Sequence, residues 1–271
     1  MNILDTIIAY KRSEIEIRKQ EISIDALEKT KLFSRQTISL KKVLQNETKT
    51  GIIAEFKRKS PSRGIINATA DVVSVTSAYT NNGASGLSVL TDEYFFGGSS
   101  EDLIKARVNE IPILRKDFII DEYQLVEARS IGADVILLIA ACLSPSRVKT
   151  LAGFAKNIGL EVLLEIHNKE ELEHICDEAD MIGVNNRNLK TFEVNINTSL
   201  ELINKIPTTK PAIAESGISN VETIVTLKQA GFKGVLIGET FMKEADPTIA
   251  FSKFIQPLVH HDGGLKTKLY E

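Results

Sequence analysis

Eight short apolar runs, separated by stretches of helical periodicity, are the feature of this sequence that most restricts its fold. The runs are almost continuously apolar rather than alternating, which is typical of parallel strands buried on both faces. They cover residues 51–56, 86–90, 111–114, 134–139, 160–166, 181–184, 211–214 and 234–237. Amphipathic periodicity predicts helices over about 71–83, 101–109, 121–131, 145–158, 169–178, 197–205, 219–230 and 247–256.

This eightfold βα repeat predicts an α/β protein, a single (β/α)8 TIM barrel with an N-terminal helical extension. An open doubly wound sheet is the alternative, but the GxGxxG motif typical of that fold does not follow the first run. We expect residues 1–45 to form the extension packed on the barrel, 46–257 the catalytic barrel and 258–271 a C-terminal tail. Charges of both signs on the polar face of the extension disfavour a membrane-surface helix.

Residues at the ends of the predicted helices support these limits. Ser144 precedes Pro145, which places a preferred N-cap residue before a proline in the first turn. Asn168 and Ser219 mark the entries of two further helices. Glycine follows three of the helices, where a left-handed residue is favoured, at Gly132, Gly159 and Gly231.

Composition and charge argue against several classes of protein. Thirty-three basic and 36 acidic residues give a net charge of −3, which disfavours nucleic acid as the main partner. No apolar stretch approaches the roughly 18–20 residues of a membrane-spanning helix, and no signal-peptide pattern opens the sequence. Cys142 and Cys176 lie far apart without a CxxC motif, so we expect neither a disulfide nor a zinc site and predict a cytoplasmic protein.

Polar residues close several of the apolar runs, and chemistry in such barrels lies at the carboxyl ends of the strands. Glu55 and Lys57 are two residues apart, so both face the barrel mouth if Phe56 faces the helices. Three other runs end in Lys116, Glu165 and Glu215. Two lysines and three glutamates around one mouth indicate an acid/base site, although single members could form structural ion pairs.

Glycines after the last two strands are candidates for a phosphate site, with an ordinary turn after a strand as the alternative. Ser216-Gly217 and Gly238-Glu239 occupy loops that commonly bind phosphate through backbone N–H groups, often together with a short extra helix. The carboxylate of Glu239 would repel phosphate, so we expect that side chain to point away from it.

The remaining candidates are aromatic, histidine and cysteine residues. Aromatic residues in the loops after the second and third strands either line an aromatic substrate pocket or pack in the core; they are Tyr94, Phe95, Phe96 and Phe118. The four histidines lack metal-ligand spacing, so we expect structural or solvent-exposed side chains and no metal; they are His167, His174, His260 and His261. Cys142 has no evident histidine partner and is predicted to be a buried thiol.

The motifs at the strand ends resemble those of the indole-3-glycerol-phosphate synthase family. The most specific is IAEFKRKSPS at 53–62, and supporting matches lie at 90–99, 114–118, 182–189, 214–218 and 237–239. The resemblance covers essentially residues 1–257, including the helical extension. It implies conversion of 1-(2-carboxyphenylamino)-1-deoxyribulose 5-phosphate to indole-3-glycerol phosphate, CO2 and water in tryptophan biosynthesis, without a metal or organic cofactor.

The resemblance also implies catalytic roles for individual residues. Lys116 is expected to be the general acid, and Glu165 the general base or the group that stabilises a developing iminium. Lys57 steers the negative charges of the substrate and assists proton transfer, Glu55 handles dehydration, and Asn185 orients substrate groups. The division of roles among Glu55, Lys57 and Glu165 stays open.

Ten further residues are expected to contact the substrate. Ser60 resembles a contact to the substrate carboxylate, and the loops after the last two strands resemble a phosphate cradle. The expected contacts are Ser60, Phe96, Phe118, Arg187, Glu215, Ser216, Gly217, Leu236, Gly238 and Glu239.

Three other interpretations compete. A Schiff-base aldolase would use Lys116 as a nucleophile, whereas a metal-dependent epimerase needs a histidine and aspartate set that the strand ends lack. A barrel kept only as a scaffold would have lost its acid/base residues. We therefore expect a monofunctional, monomeric enzyme that acts on a small phosphorylated molecule and binds neither nucleic acid nor membrane. Association with other enzymes of tryptophan biosynthesis stays open.

Overall fold

The computed structural model describes residues 3–259, and its eight long strands close into one parallel barrel. The strands are β1 (Ile52–Phe56), β2 (Gly86–Leu90), β3 (Ile113–Lys116), β4 (Val135–Ile139), β5 (Glu161–Ile166), β6 (Met181–Asn185), β7 (Ala212–Glu215) and β8 (Gly234–Ile237). Each strand pairs in parallel with its sequence neighbours, and β1 pairs with β8 to close the ring. The predicted TIM barrel is confirmed.

Helices alternate with these strands as predicted, except between β5 and β6. They are α1 (Ile3–Glu21), α2 (Ile24–Glu28), α3 (Leu40–Gln45), α4 (Val72–Asn81), α5 (Glu93–Phe96), α6 (Ser100–Ala106), α7 (Glu122–Ser130), α8 (Pro145–Asn157), α9 (Asn197–Leu202), α10 (Val221–Ala230), α11 (Glu239–Met242) and α12 (Pro247–Val259). Short 3-10 turns occupy Ala140–Cys142, Glu170–His174 and Ile203–Lys205, and a small hairpin pairs Lys59–Ser60 with Gly64–Ile65.

The local helix signals were mostly correct. Ser144 caps α8 by accepting a hydrogen bond from Arg147 N, and Gly132, Gly159 and Gly231 all adopt positive φ. The cap of α10 is Asn220 rather than Ser219.

The helix predicted over 169–178 is wrong. The structure has only the 3-10 turn Glu170–His174 there, and the backbone is already extended at Ile175.

Two apolar layers hold the barrel together. One lies between strands and helices and includes Phe56, so Glu55 and Lys57 face inward as predicted. The other fills the barrel interior, where Leu40 and Leu44 of α3 join the inward-facing strand residues. Because α3 packs close against the first residues of β2 and β8, which are glycines, it closes the end of the barrel opposite the carboxyl ends of the strands.

The three helices that precede β1 support the predicted extension over residues 1–45, which stays a prediction, as does the boundary at 257. Of the predicted tail, residues 260–271 lie outside the described part of the chain, and so do His260 and His261. Between residues 3 and 259, the structure contains no helix that is long and apolar enough to cross a membrane.

Candidate active site

The carboxyl ends of β3, β5 and β7 bring one lysine between two glutamates. Lys116 Nζ lies 2.9 Å from Glu165 Oε2 and 2.5 Å from Glu215 Oε2. Burial acts to lower the pKa of Lys116, but the attraction of Glu165, Glu215 and Glu55 outweighs it and raises that pKa. Lys116 is therefore an ammonium at neutral pH, with a proton to donate.

The two glutamates around Lys116 have different proton affinities. Burial and the charge of Glu165 raise the pKa of Glu215 to about 7, against the lowering effect of Lys116. Burial also acts to raise the pKa of Glu165, but Lys116 and His167 outweigh it and hold that pKa well below its usual range. Two neighbouring carboxylates with pKa values set apart in this way are typical of acid/base sites.

Strand β6, which lies between β5 and β7, orients both carboxylates. Asn185 Nδ2 donates to Glu165 Oε1 at 3.1 Å. Gly183 leaves room for Glu215, because a Cβ at this glycine would stand 2.3 Å from Glu215 Oε1. The absence of a side chain at Gly183 thus lets the Glu215 carboxylate reach Lys116.

The second lysine–glutamate pair lies on β1 and just after it. Lys57 Nζ is 2.7 Å from Glu55 Oε1, and Ser88 Oγ donates to Glu55 Oε2 at 3.3 Å. A Cβ at Gly238 would lie 2.8 Å from Glu55 Oε1, so this glycine, predicted as a phosphate contact, also makes space for Glu55.

These groups surround a cavity of about 450 Å³ at the barrel mouth, and every site residue predicted from the sequence lines it. Phe96 and Phe118 form one wall, with ring centroids 5.9 Å apart. Tyr94 and Phe95 are not part of that wall, because they pack against Tyr10 of α1.

The loops after β7 and β8 form the other end of the cavity. Ser216 and Gly217 both adopt left-handed φ, of 66° and 77°, and a Cβ at Gly217 would lie 2.5 Å from Val194 Cγ1. The four-residue helix α11 follows Gly238.

The carboxylate of Glu239 is held by two arginines. Arg63 Nε lies 2.9 Å from Glu239 Oε1, and Arg187 Nη2 lies 3.4 Å from Glu239 Oε2. Its charge is thereby balanced beside the predicted phosphate loops.

Sequence reasoning missed the contribution of α1. Ile3, Leu4 and Ile7 line the cavity, and Lys11 pairs with Asp92 and Asp117 in the loops after β2 and β3. The available signal was a lysine in the apolar stripe of α1, at the i+4 position after Ile7.

His167 follows Glu165 by two residues, the spacing that picked out Glu55 and Lys57. Its side chain is only 9% exposed and lies beside Glu165, so the solvent-exposed alternative is wrong for this residue. His174 is buried and bonds to backbone oxygens of Leu143 and Glu171.

The cysteines and potential metal ligands add no further site. Both cysteines are free, and burial raises the pKa of the Cys142 thiol. Among residues 3–259, no three His, Cys, Asp or Glu side chains are grouped so that they could hold a metal ion.

Comparison with solved structures agrees with the fold. The chain superposes on the tryptophan synthase complex from Pyrococcus furiosus with a TM-score of 0.57 and 15% identity, covering 77% of this chain and 97% of that chain. It superposes on 3-hexulose-6-phosphate synthase from Salmonella typhimurium with a TM-score of 0.59 and 14% identity, covering 78% and 100%. At these identities the likeness concerns the barrel alone.

Comparison of sequences is more specific. The chain is 48% identical to indole-3-glycerol phosphate synthase of Bacteroides thetaiotaomicron, over 95% of this chain and 99% of the relative. Its identity to the enzyme of the same name from Salinibacter ruber is 42%, over 93% and 95%. The sequence profile of the family matches residues 4–254. The chain therefore belongs to the indole-3-glycerol phosphate synthase family.

Proposed function

We propose that this chain is a carbon–carbon lyase that converts 1-(2-carboxyphenylamino)-1-deoxyribulose 5-phosphate to indole-3-glycerol phosphate, CO2 and water in tryptophan biosynthesis. The observation that carries the proposal is the Lys116 ammonium, held between Glu165 and Glu215 in a cavity with an aromatic wall. This arrangement offers a proton donor and a proton acceptor beside a place for a benzene ring.

Ring closure is the step assigned to Lys116. The ring carbon that bears the carboxylate attacks the ketone carbon, and the new C–C bond forms as the ketone oxygen takes the Lys116 proton. The nitrogen lone pair moves toward the ring and leaves an iminium. Loss of CO2 returns that electron pair and restores the aromatic ring, so no external electron sink is needed.

Dehydration completes the indole. The hydroxyl formed in the first step takes a second proton and leaves as water; we assign this transfer to Glu55, which passes on a proton from the Lys57 ammonium 2.7 Å away. Glu165 removes a proton from the methylene carbon next to nitrogen, and the ring double bond forms. The protein gives two protons and recovers one, which balances the loss of a carboxylate as neutral CO2.

Orientation is the other task of the site. We assign the substrate carboxylate to Lys57 and Ser60, with Asn185 orienting nearby oxygens. The benzene ring packs on Phe96 and Phe118, while Leu236 contributes apolar contact. Backbone N–H groups of the loops after β7 and β8 receive the phosphate, with balancing charge from Arg187; these loops carry Ser216, Gly217, Gly238 and Glu239. Anchors at both ends bring the ring carbon to the ketone and so reduce the entropy cost of closure.

The test is turnover of the carboxyphenylamino deoxyribulose phosphate, followed by indole fluorescence in the presence of EDTA. Lys116→Ala and Lys116→Met should lose on the order of 10²–10⁴-fold in kcat, with a native circular dichroism spectrum. Lys105→Ala is the matched control, because Lys105 is exposed and pairs only with Glu101. Near-normal turnover of the folded Lys116 variants would remove Lys116 from the general-acid role.

A Schiff-base aldolase is the alternative to be tested in the same preparation. It predicts a substrate adduct on Lys116 that borohydride traps, whereas the proposed reaction forms no covalent adduct. We further propose that the enzyme is monomeric and cytoplasmic, and sedimentation of the purified chain tests the first statement.

A further inference from the structure

His167 stands behind the reacting carboxylate rather than in the wall of the cavity. Its Nε2 lies 3.1 Å from Glu165 Oε1, at ion-pair distance but without hydrogen-bond geometry, and its Nδ1 lies 3.1 Å from Glu171 Oε2. The imidazole is only 9% exposed, and it is not among the described residues that line the cavity. It therefore contacts a proposed catalytic group without contacting the substrate.

Glu171 fixes the ring from the far side. Glu171 Oε2 accepts a hydrogen bond from His167 N at 2.7 Å, and its Oε1 accepts one from Asn168 Nδ2 at 3.0 Å. Asn168 Oδ1 in turn accepts from Glu171 N at 3.0 Å. This closed set of bonds fixes the Glu171 carboxylate, and with it the imidazole, at the start of the 3-10 turn.

Each oxygen of Glu165 thus has its own partners. Oε2 faces Lys116, whereas Oε1 faces both Asn185 and His167. Asn185 is the hydrogen-bond donor to Oε1, and the imidazole is its close cationic neighbour. Without the imidazole, Oε1 would lose that cation, and the carboxylate would be freer to rotate about its last side-chain bond.

The charge of the imidazole follows from its surroundings. Burial acts to lower the pKa of His167, but Glu165 and Glu171 outweigh it and raise that pKa to about 9. The other ionisable groups nearby do not oppose this, because Cys142 stays a neutral thiol and Lys116 is reached only through Glu165. The ring is accordingly cationic at neutral pH.

We propose that His167 is a positioning residue for the reaction: clamped by Glu171, it holds the Glu165 carboxylate in place against Lys116 and keeps it ionised. The inference rests on the proposed role of Glu165 as a reacting group. It adds a Glu171–His167–Glu165 array that leads from a surface turn into the active site.

Steady-state kinetics across roughly pH 5 to 9 tests the array through the acidic limb of kcat. His167→Ala should lower kcat by about 10–100-fold, the scale of a small misplacement of a reacting group, with KM little changed because the substrate anchors are untouched. The acidic limb should move to higher pH, since Glu165 loses an adjacent cation. His167→Gln keeps an N–H donor near the Nε2 position, so it should recover part of kcat but not the position of the limb.

His174→Gln is the matched control, because His174 is a buried histidine at the end of the turn that carries Glu171, and its ring bonds to the backbone oxygens of Leu143 and Glu171. It should leave kcat and its pH profile close to those of the unchanged protein. If folded His167→Ala keeps the original kcat and acidic limb, the proposal is overturned. A loss of kcat and thermal stability with an unmoved limb would also overturn it, because that pattern describes a purely structural histidine.

A second measurement does not depend on turnover. Titration of the ¹⁵N-labelled imidazoles by NMR should show His167 protonated at neutral pH, with a pKa that falls in Glu171→Gln. A neutral ring at pH 7 would refute the array. If the unchanged protein does not turn over the substrate while the titration behaves as expected, the proposed function fails and the ion-paired array stands.

Discussion

Replacing Lys11 with methionine should test how the N-terminal helix is attached to the barrel. Lys11 Nζ lies 2.6 Å from Glu14 Oε2, 2.9 Å from Asp92 Oδ2 and 3.0 Å from Asp117 Oδ1. The two aspartate side chains are 1% and 2% exposed. Because methionine is nearly as long as lysine, Lys11→Met removes a buried charge while changing the packing little.

The expected cost follows from the charges left behind. Breaking a buried ion pair by removing one partner typically costs about 3–5 kcal/mol, since the other charge stays buried without compensation. Without Lys11, Asp117 still has Arg115 3.1 Å from its Oδ2. Asp92 keeps only the backbone donors Phe95 N and Phe96 N at Oδ1, and its Oδ2 has no hydrogen bond. We therefore expect a loss of about 3–5 kcal/mol in the free energy of unfolding, or a fall in Tm of roughly 10 °C.

The effect should depend on pH in a defined direction. Burial acts to raise the pKa of Asp117, but Lys11 and Arg115 hold it well below its usual range. A depressed folded-state pKa contributes stability that is present above the unfolded value, near about 4, and is lost as the pH falls toward the folded value. The difference between Lys11→Met and the unchanged protein should therefore be largest at neutral pH and shrink below about pH 4.

Urea unfolding followed by circular dichroism at neutral and acidic pH measures these quantities. Lys19→Met is the matched control, because Lys19 lies on the same helix but its side chain is 35% exposed where it pairs with Asp121. This control should lose less than about 1 kcal/mol. Asp92→Asn in the Lys11→Met background should restore part of the stability, since it removes the uncompensated charge. A loss for Lys11→Met no larger than that of Lys19→Met would refute the reasoning.

Two glycine-to-alanine substitutions should act on different properties: one should lower kcat, and the other should raise the free energy of unfolding. Gly183→Ala would place a Cβ 2.3 Å from Glu215 Oε1, which pushes that carboxylate off Lys116; kcat should fall by about 10²-fold, and unimpaired turnover would contradict the assigned geometry. Gly153→Ala lies inside α8, where a Cβ meets nothing closer than Glu178 Cγ at 4.0 Å. It should stabilise the protein by about 0.5–1 kcal/mol with unchanged activity, and a lower urea midpoint would contradict that expectation.

Much of the barrel was predictable because buried parallel strands need apolar residues on both faces. The predicted run at 234–237 has the same bounds as β8, and the predicted run at 51–56 starts one residue before β1 and ends with it. The pair Glu55 and Lys57 was also predictable, since strand alternation places residues i and i+2 on one side.

The error at 169–178 has a different origin. The segment does begin with a helix-entry bond, because Asn168 Oδ1 accepts from Glu171 N, but its backbone is already extended at Ile175. The local pattern therefore predicted where this element starts but not how long it is, because propensity alone is a weak guide.

Sequence alone determined the alternation of buried strands and amphipathic helices, and with it the identity of the acidic and basic residues at the strand ends. Only the tertiary structure decided which of them meet. Lys116 pairs with Glu165 and Glu215, which lie 49 and 99 residues away along the chain. Lys11, in the first helix, pairs with Asp92 and Asp117 in the loops after β2 and β3. These contacts depend on the register at which eight strands close, because that register sets the height of each strand end at the mouth. No periodicity within a single segment carries that information.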